Sequence, residues 1–93
     1  MGTVAIAKGR KMPGFEITCI NKNSRGLVVR IGGSGWSLGA HDAIVKVISN
    51  QIRFTIRVNE TIVQVGVRGE GFDAYLVLEP DGFPLHNLNF PSC

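Results

Sequence analysis

Cysteine is nearly missing from this sequence, with two copies among 93 residues. Two are too few for the bridged framework of a small secreted domain, and too few for structural zinc without two further ligands. His41 and His86 stand singly rather than in close pairs, so no metal-ligand spacing is present and no cofactor is expected. Cys19 and Cys93 read as two ordinary thiols, which meet only if the end of the chain runs back beside its first strand. Long apolar runs are missing too: none approaches the roughly 18 to 20 residues that span a bilayer, and Met1 to Pro13 lacks the apolar centre of a signal peptide. A cytoplasmic protein without membrane contact is expected. The opening Met-Gly-Thr-Val-Ala-Ile carries Ile6 where a myristoylation site prefers Ser or Thr.

Positive charge is in excess only at one end. The formal net charge is +3, and Lys8, Arg10 and Lys11 all lie in the first twelve residues. Without them, seven basic residues face seven acidic ones. A neutral body argues against a broad basic footprint for nucleic acid, although a local stripe remains open. What the chain does have is 44% hydrophobic residues and twelve glycines, the composition of a turn-rich globular domain.

Residues 1–14 show no periodicity and end at Pro13-Gly14, so they read as a flexible basic leader, with one α+β domain over 15–93. Phe15, Ile17 and Cys19 alternate with Glu16 and Thr18, the period-two pattern of a half-buried strand. Asn21 to Gly26 is turn-forming, and Leu27 to Ile31 is a second short strand, giving an N-terminal hairpin. Gly32-Gly33-Ser34-Gly35 stops it. Ala40, Ala43, Ile44, Val47 and Ile48 then fall at helical spacing, predicting one amphipathic helix over Ala40 to Ser49, with Gly39 at its start and Asn50 closing it. Three strands follow, Arg53 to Val58, Ile62 to Arg68 and Phe72 to Leu78, as an antiparallel meander (ββαβββ overall). Their core face is Phe54, Ile56, Val58, Val63, Val65, Val67, Phe72, Ala74, Leu76 and Leu78. Pro80 to Cys93 reads as an extended tail laid across the domain by Phe83, Leu85, Leu88 and Phe90.

Several landmarks occur together: Ile17-Thr18-Cys19-Ile20-Asn21-Lys22, Ile31-Gly32-Gly33 with Trp36-Ser37-Leu38, Ala43-Ile44, Tyr75-Leu76, Asp81-Gly82, Asn87-Leu88 and Cys93. In order and spacing from Phe15 to Cys93 they resemble the small bacterial and phage domain of unknown function numbered 3892. The resemblance implies a compact domain in bacteria or their phages and assigns no activity. Relatives often carry a histidine and a glutamate before the Ile-Gly-Gly landmark, where this chain has Arg25-Gly26-Leu27-Val28-Val29-Arg30, so a site built from those two residues is not carried over.

Two surfaces are candidates. Opposite the core face of the meander, Arg53, Thr55 and Arg57 stand beside Gln64 and Arg68, and then Asp73, Tyr75 and Glu79. This is a guanidinium stripe with an aromatic neighbour, suited to acidic protein surfaces, phosphates or stacked bases. Its bland counterpart is cross-strand pairing of the arginines with Asp73 and Glu79 on an ordinary wet face. The second candidate is the loop of Arg30, Gly32, Gly33, Ser34 and Trp36, whose backbone N–H groups ahead of a helix invite comparison with a phosphate cradle. The spacing is not that of a phosphate loop, and a tight connection that folds Trp36 onto the core is the simpler reading. No Ser-His-Asp or Cys-His set and no carboxylate pair in a cleft is visible, so catalysis is not expected.

These features lead to a non-catalytic module that binds a protein partner, such as an adaptor or an inhibitor of a host defence protein. A homodimer through an exposed meander edge would accompany it. Nucleic-acid binding by the arginine stripe and nucleotide or phosphate sensing at the glycine loop are the alternatives.

Overall fold

A computed structural model describes residues 13–93. Most of the segment read as a leader lies outside the described residues. Its last two residues belong to the fold, because the Arg53 N–H donates to the Pro13 carbonyl (3.0 Å) and Gly14 opens the first strand.

The strand expected over Phe15 to Cys19 breaks in two at Thr18. Its first half, β1 (Gly14–Ile17), pairs in parallel with β5 (Arg53–Val58). Its second half, β2 (Cys19–Lys22), forms an antiparallel hairpin with β3 (Val28–Gly33). Thr18 stays tied between them by its N–H, which donates to the Gly32 carbonyl (2.8 Å). Burial follows the break: Ile17 and Ile20 are both sealed, three residues apart, where unbroken alternation would have buried Cys19.

A second hairpin replaces the expected glycine loop. Ser34 and Gly35 turn the chain from β3 into β4 (Trp36–Gly39), with Gly33 opposite Trp36 and Gly35 at φ 79°. The helix α1 (Ala40–Ile48) starts directly after β4, with Gly39 in extended conformation at its N-cap, Asp42 in the first turn, and Asn50 in the left-handed region beyond its end. It buries Ala43 and Ile44. Parallel pairing needs a crossover rather than a tight turn, and the chain from β2 through α1 supplies it between β1 and β5.

After β5, Asn59 and Glu60 both take positive φ and turn the chain into β6 (Thr61–Arg68), a two-residue hairpin with Val58 opposite Thr61. The third meander strand is shorter than expected. Gly69 and Gly71, both at positive φ, end the ladder, Gly71–Asp73 forms a 3-10 turn, and β7 (Tyr75–Leu78) begins only after it. Phe72, assigned above to the core, is wholly exposed. The tail is not merely laid across the surface: β8 (Phe83–Pro84) adds a short strand to β7, and Leu85 is fully buried.

The result is α+β with one helix and two sheets rather than a hairpin, helix and meander. One sheet runs β1-β5-β6-β7-β8 and the other β2-β3-β4. Ile17, Ile20, Ile31, Ile44, Phe54, Ile56, Val65, Leu76 and Leu85 form one core that draws on both sheets, the helix and the tail. Both long edges of the meander are occupied, by β1 and β8, so the edge offered above for dimerisation is covered. Cys19 and Cys93 form a disulfide, with Cα atoms 4.8 Å apart, because the tail does return beside β2.

Candidate functional site

The outer face of the larger sheet holds Arg53, Arg57 and Gln64 exposed, as alternation required. Two of the three arginines of the stripe are already matched. Arg57 Nε lies 3.6 Å from Glu16 Oε2, a partner that only the parallel β1–β5 pairing could bring there. Arg68 and Glu79 form a two-pronged pair, Nη1 to Oε2 and Nη2 to Oε1, each 2.9 Å. The hydrogen bond to Arg68 holds the Glu79 carboxyl below its ordinary range, and the same bond raises the Arg68 guanidinium further. Gly66 makes this pair fit, since a Cβ there would run into the Glu79 carboxylate. Val77, opposite Gly66 on that face, is fully buried. Asp73, expected as a third-strand partner, sits in the 3-10 turn instead. Arg53 has no carboxylate partner among the described residues.

The glycine-loop residues are spread along a hairpin. Gly32 and Gly33 are ladder residues of β3, Ser34 is in the turn, and Trp36 opens β4. Arg30 Nη1 donates to Ser37 Oγ across the hairpin (3.0 Å). Trp36 packs between Phe15 and Phe54, with ring centroids 5.4 and 5.5 Å away. A Cβ on Gly33 would strike the Trp36 indole and the Glu16 carbonyl, so that glycine lets the ring fold inward. A strand-to-helix anion loop needs its N–H groups free ahead of the helix, and β4 stands in that place.

The sequence reading missed a third surface. A groove of about 450 Å³ runs between the start of β3, helix α1 and the 3-10 turn, lined by Leu27, Val29, Ile44, Phe72 and Tyr75 together with His41 and His86. A second groove of about 420 Å³ shares Phe72 and continues along the helix past Val45 and Ile48. Phe72 is 100% exposed and Ile48 is 63% exposed. Tyr75, opposite Arg68 in the ladder, turns edge-on to His86 with centroids 5.8 Å apart and joins the arginine face to the groove. The signal that could have located this surface was Gly69-Glu70-Gly71: two glycines so close before Phe72 favour a tight turn over a strand start.

Among the described residues no cluster of three or more His, Cys, Asp or Glu is placed to hold a metal ion, and no helix is long and apolar enough to cross a membrane. Fold and surfaces together define a small two-sheet α+β domain with a charge-paired face and an adjoining apolar groove. No family model, curated protein or solved structure matches the chain.

Proposed function

We propose that this chain is a non-catalytic protein-binding module whose contact surface is the apolar groove around Phe72. The observation that carries the reading is Phe72 itself, a whole aromatic ring left in water that shares one groove with Leu27 and Val29 and the adjoining one with Ile48. Exposed apolar surface gathered in one place marks contact sites, and aromatic anchors dominate their energetics. The occupant that fits is a segment of a partner protein that presents aliphatic side chains to the groove. The small size and the resemblance to the bacterial and phage domain numbered 3892 support an adaptor or an inhibitor of a host protein.

Nucleic-acid binding through Arg53, Arg57, Arg68 and Tyr75 has weaker support, because Arg57 and Arg68 would have to give up Glu16 and Glu79 to engage phosphates. A cytoplasmic location supports a reduced Cys19 and Cys93, and an oxidising compartment a linked pair, so location bears on the state of the tail.

The test is affinity capture with wild type, Phe72→Asp and an Arg53→Glu/Arg57→Glu variant, before and after nuclease. A partner that survives nuclease and is lost only with Phe72→Asp supports the groove. Capture that nuclease abolishes, weakens steeply with salt and is lost with the arginine variant replaces this reading with the nucleic-acid one.

A further inference from the structure

The three-stranded sheet runs β2-β3-β4, which leaves one side of β2 without a strand partner. The end of the chain fills that side, and each of the four β2 residues holds it. Cys19 is bonded to Cys93. The Ile20 N–H donates to the Pro91 carbonyl (2.8 Å). The Asn21 side-chain oxygen accepts the Cys93 N–H (2.8 Å), and Lys22 Nζ donates to the Leu88 carbonyl (2.8 Å). From Cys19 to Ile20 to Lys22 the contacts step back from Cys93 to Pro91 to Leu88, an antiparallel course, while the Asn21 side chain reaches back to Cys93. Leu88 and Phe90 lean on the core, yet residues 88–93 belong to no helix or strand. Gly32 forms the floor: a Cβ there would lie 3.0 Å from the Cys19 sulfur and 3.2 Å from that of Cys93.

A strand edge that recognises an extended peptide by backbone bonds and side-chain grips is a β-augmentation site. Here three of the four grips are ordinary hydrogen bonds to exposed or half-buried groups, and the fourth is a covalent link that thiols can open. Cys93 is exposed and Cys19 half-buried, so thiols can approach from the tail side.

We propose that the β2 edge is a docking strip for the segment Leu88–Cys93, that Cys19–Cys93 is a thiol–disulfide exchange site locking it, and that an opened strip accepts the same segment from a second copy. A thiol reductant, such as two molecules of glutathione, opens the link. Two electrons and two protons pass to Cys19 and Cys93, and the reductant becomes its own disulfide. The thiolate of Cys93 from an opened copy then attacks the Cys19 sulfur of a closed copy. The bond between copies forms as the internal one breaks, and the displaced Cys93 leaves as a thiolate. One disulfide is present before and after, so the exchange needs no oxidant. The occupant is specified by the structure, since the strip already fits this segment within one copy.

Full-length protein, half of it labelled with heavy isotopes, is held at high concentration in a glutathione redox buffer, then acid-quenched and digested. The expected result is Cys19–Cys93 peptides of mixed isotope composition, several-fold beyond their share under chance pairing with Cys19–Cys19 and Cys93–Cys93 links. An Asn21→Ala/Lys22→Ala variant, which loses two grips and neither thiol, should bring the links back towards chance proportions. Chance proportions in the wild-type protein, or a Cys19–Cys93 link that never becomes isotopically mixed although both thiols are seen reduced, would overturn the proposal.

Discussion

Gly33 carries a hydrogen where a methyl group would meet the Trp36 indole and the Glu16 carbonyl, one a ring wedged between Phe15 and Phe54 and the other backbone of a paired strand. Neither can step aside cheaply. Gly33→Ala should destabilise the fold by about 1 to 3 kcal/mol, the usual range for overpacking, as read by denaturant unfolding followed through Trp36 fluorescence. Gly14→Ala, whose new Cβ would come no closer than 3.9 Å to the Arg53 carbonyl, is the control and should change little. Phe72→Ser should also leave stability within about 0.5 kcal/mol of wild type, because a wholly exposed ring loses no packing when removed. A larger loss would place Phe72 in the fold rather than at a contact surface. Glu79 sets a pH dependence. Its folded carboxyl titrates below the ordinary value of 4.5, so its pairing with Arg68 is fully present above that value and is lost as pH falls through the folded value. Melting temperatures measured from neutral pH downward should therefore fall less steeply on the acid side in Glu79→Gln than in wild type. The arginine stripe and the pairing of Arg68 with Glu79 were legible from alternation, but the pairing of Arg57 with Glu16 was not. The Arg57 partner sits 41 positions earlier in sequence, on a strand whose neighbour alternation could not name.

The helix shows what a local pattern can and cannot carry. Its start at Ala40, its N-cap and the left-handed Asn50 were legible in the spacing of Ala40, Ala43, Ile44, Val47 and Ile48 and the residues flanking it, and its end fell one residue short of the expected Ser49. Strand pairing was legible in the β2–β3 hairpin and the antiparallel β5–β6–β7 meander, and not beyond them. Period-two alternation says that a segment is half-buried and extended, but its partner is decided by where the chain can be brought back. Sequential strands usually neighbour one another, and here that tendency fails for β1, which waits for β5. Trp36-Ser37-Leu38-Gly39 was too short and too glycine-flanked to show a period, so β4 passed as loop and its hairpin was read as a ligand cradle. The groove went unseen for a related reason: it lies between three elements, and no single stretch of sequence contains it. The junction of β4 and α1 also offers a gain. Gly39 has N-cap geometry, φ −64° and ψ 150°, without a side chain to cap the helix, and a Cβ there meets nothing closer than 3.9 Å. Gly39→Ser supplies the missing acceptor and reduces the freedom of the unfolded chain, so it should stabilise the protein by about 0.5 kcal/mol. Thermal unfolding beside Gly39→Ala separates the two contributions, since alanine restricts the chain without capping.

Across the whole molecule, two sheets meet over one core, and the tail, like the helix, reaches both. Leu85 is sealed into the core beside the larger sheet, while Cys93 is bonded to the edge of the smaller one. The disulfide joins residues 74 positions apart and so closes nearly the entire described chain into a loop. In the chain-entropy picture a loop of that size stabilises the fold by about 4.5 kcal/mol, chiefly by restricting the unfolded state. Reduction should therefore lower global stability by up to roughly that amount without dissolving the core, because no core residue other than those of the tail depends on the link for its packing. The two effects separate by hydrogen exchange. In reduced protein the amides of β5, which is flanked by β1 and β6 in the larger sheet, should report only the global loss. The Ile20 amide, whose acceptor is the Pro91 carbonyl, should lose protection by much more, since its partner leaves when the tail swings away. Equal losses at Ile20 and in β5 would mean that the tail stays docked until the whole domain unfolds, and the strip would then be part of the fold rather than a site that opens.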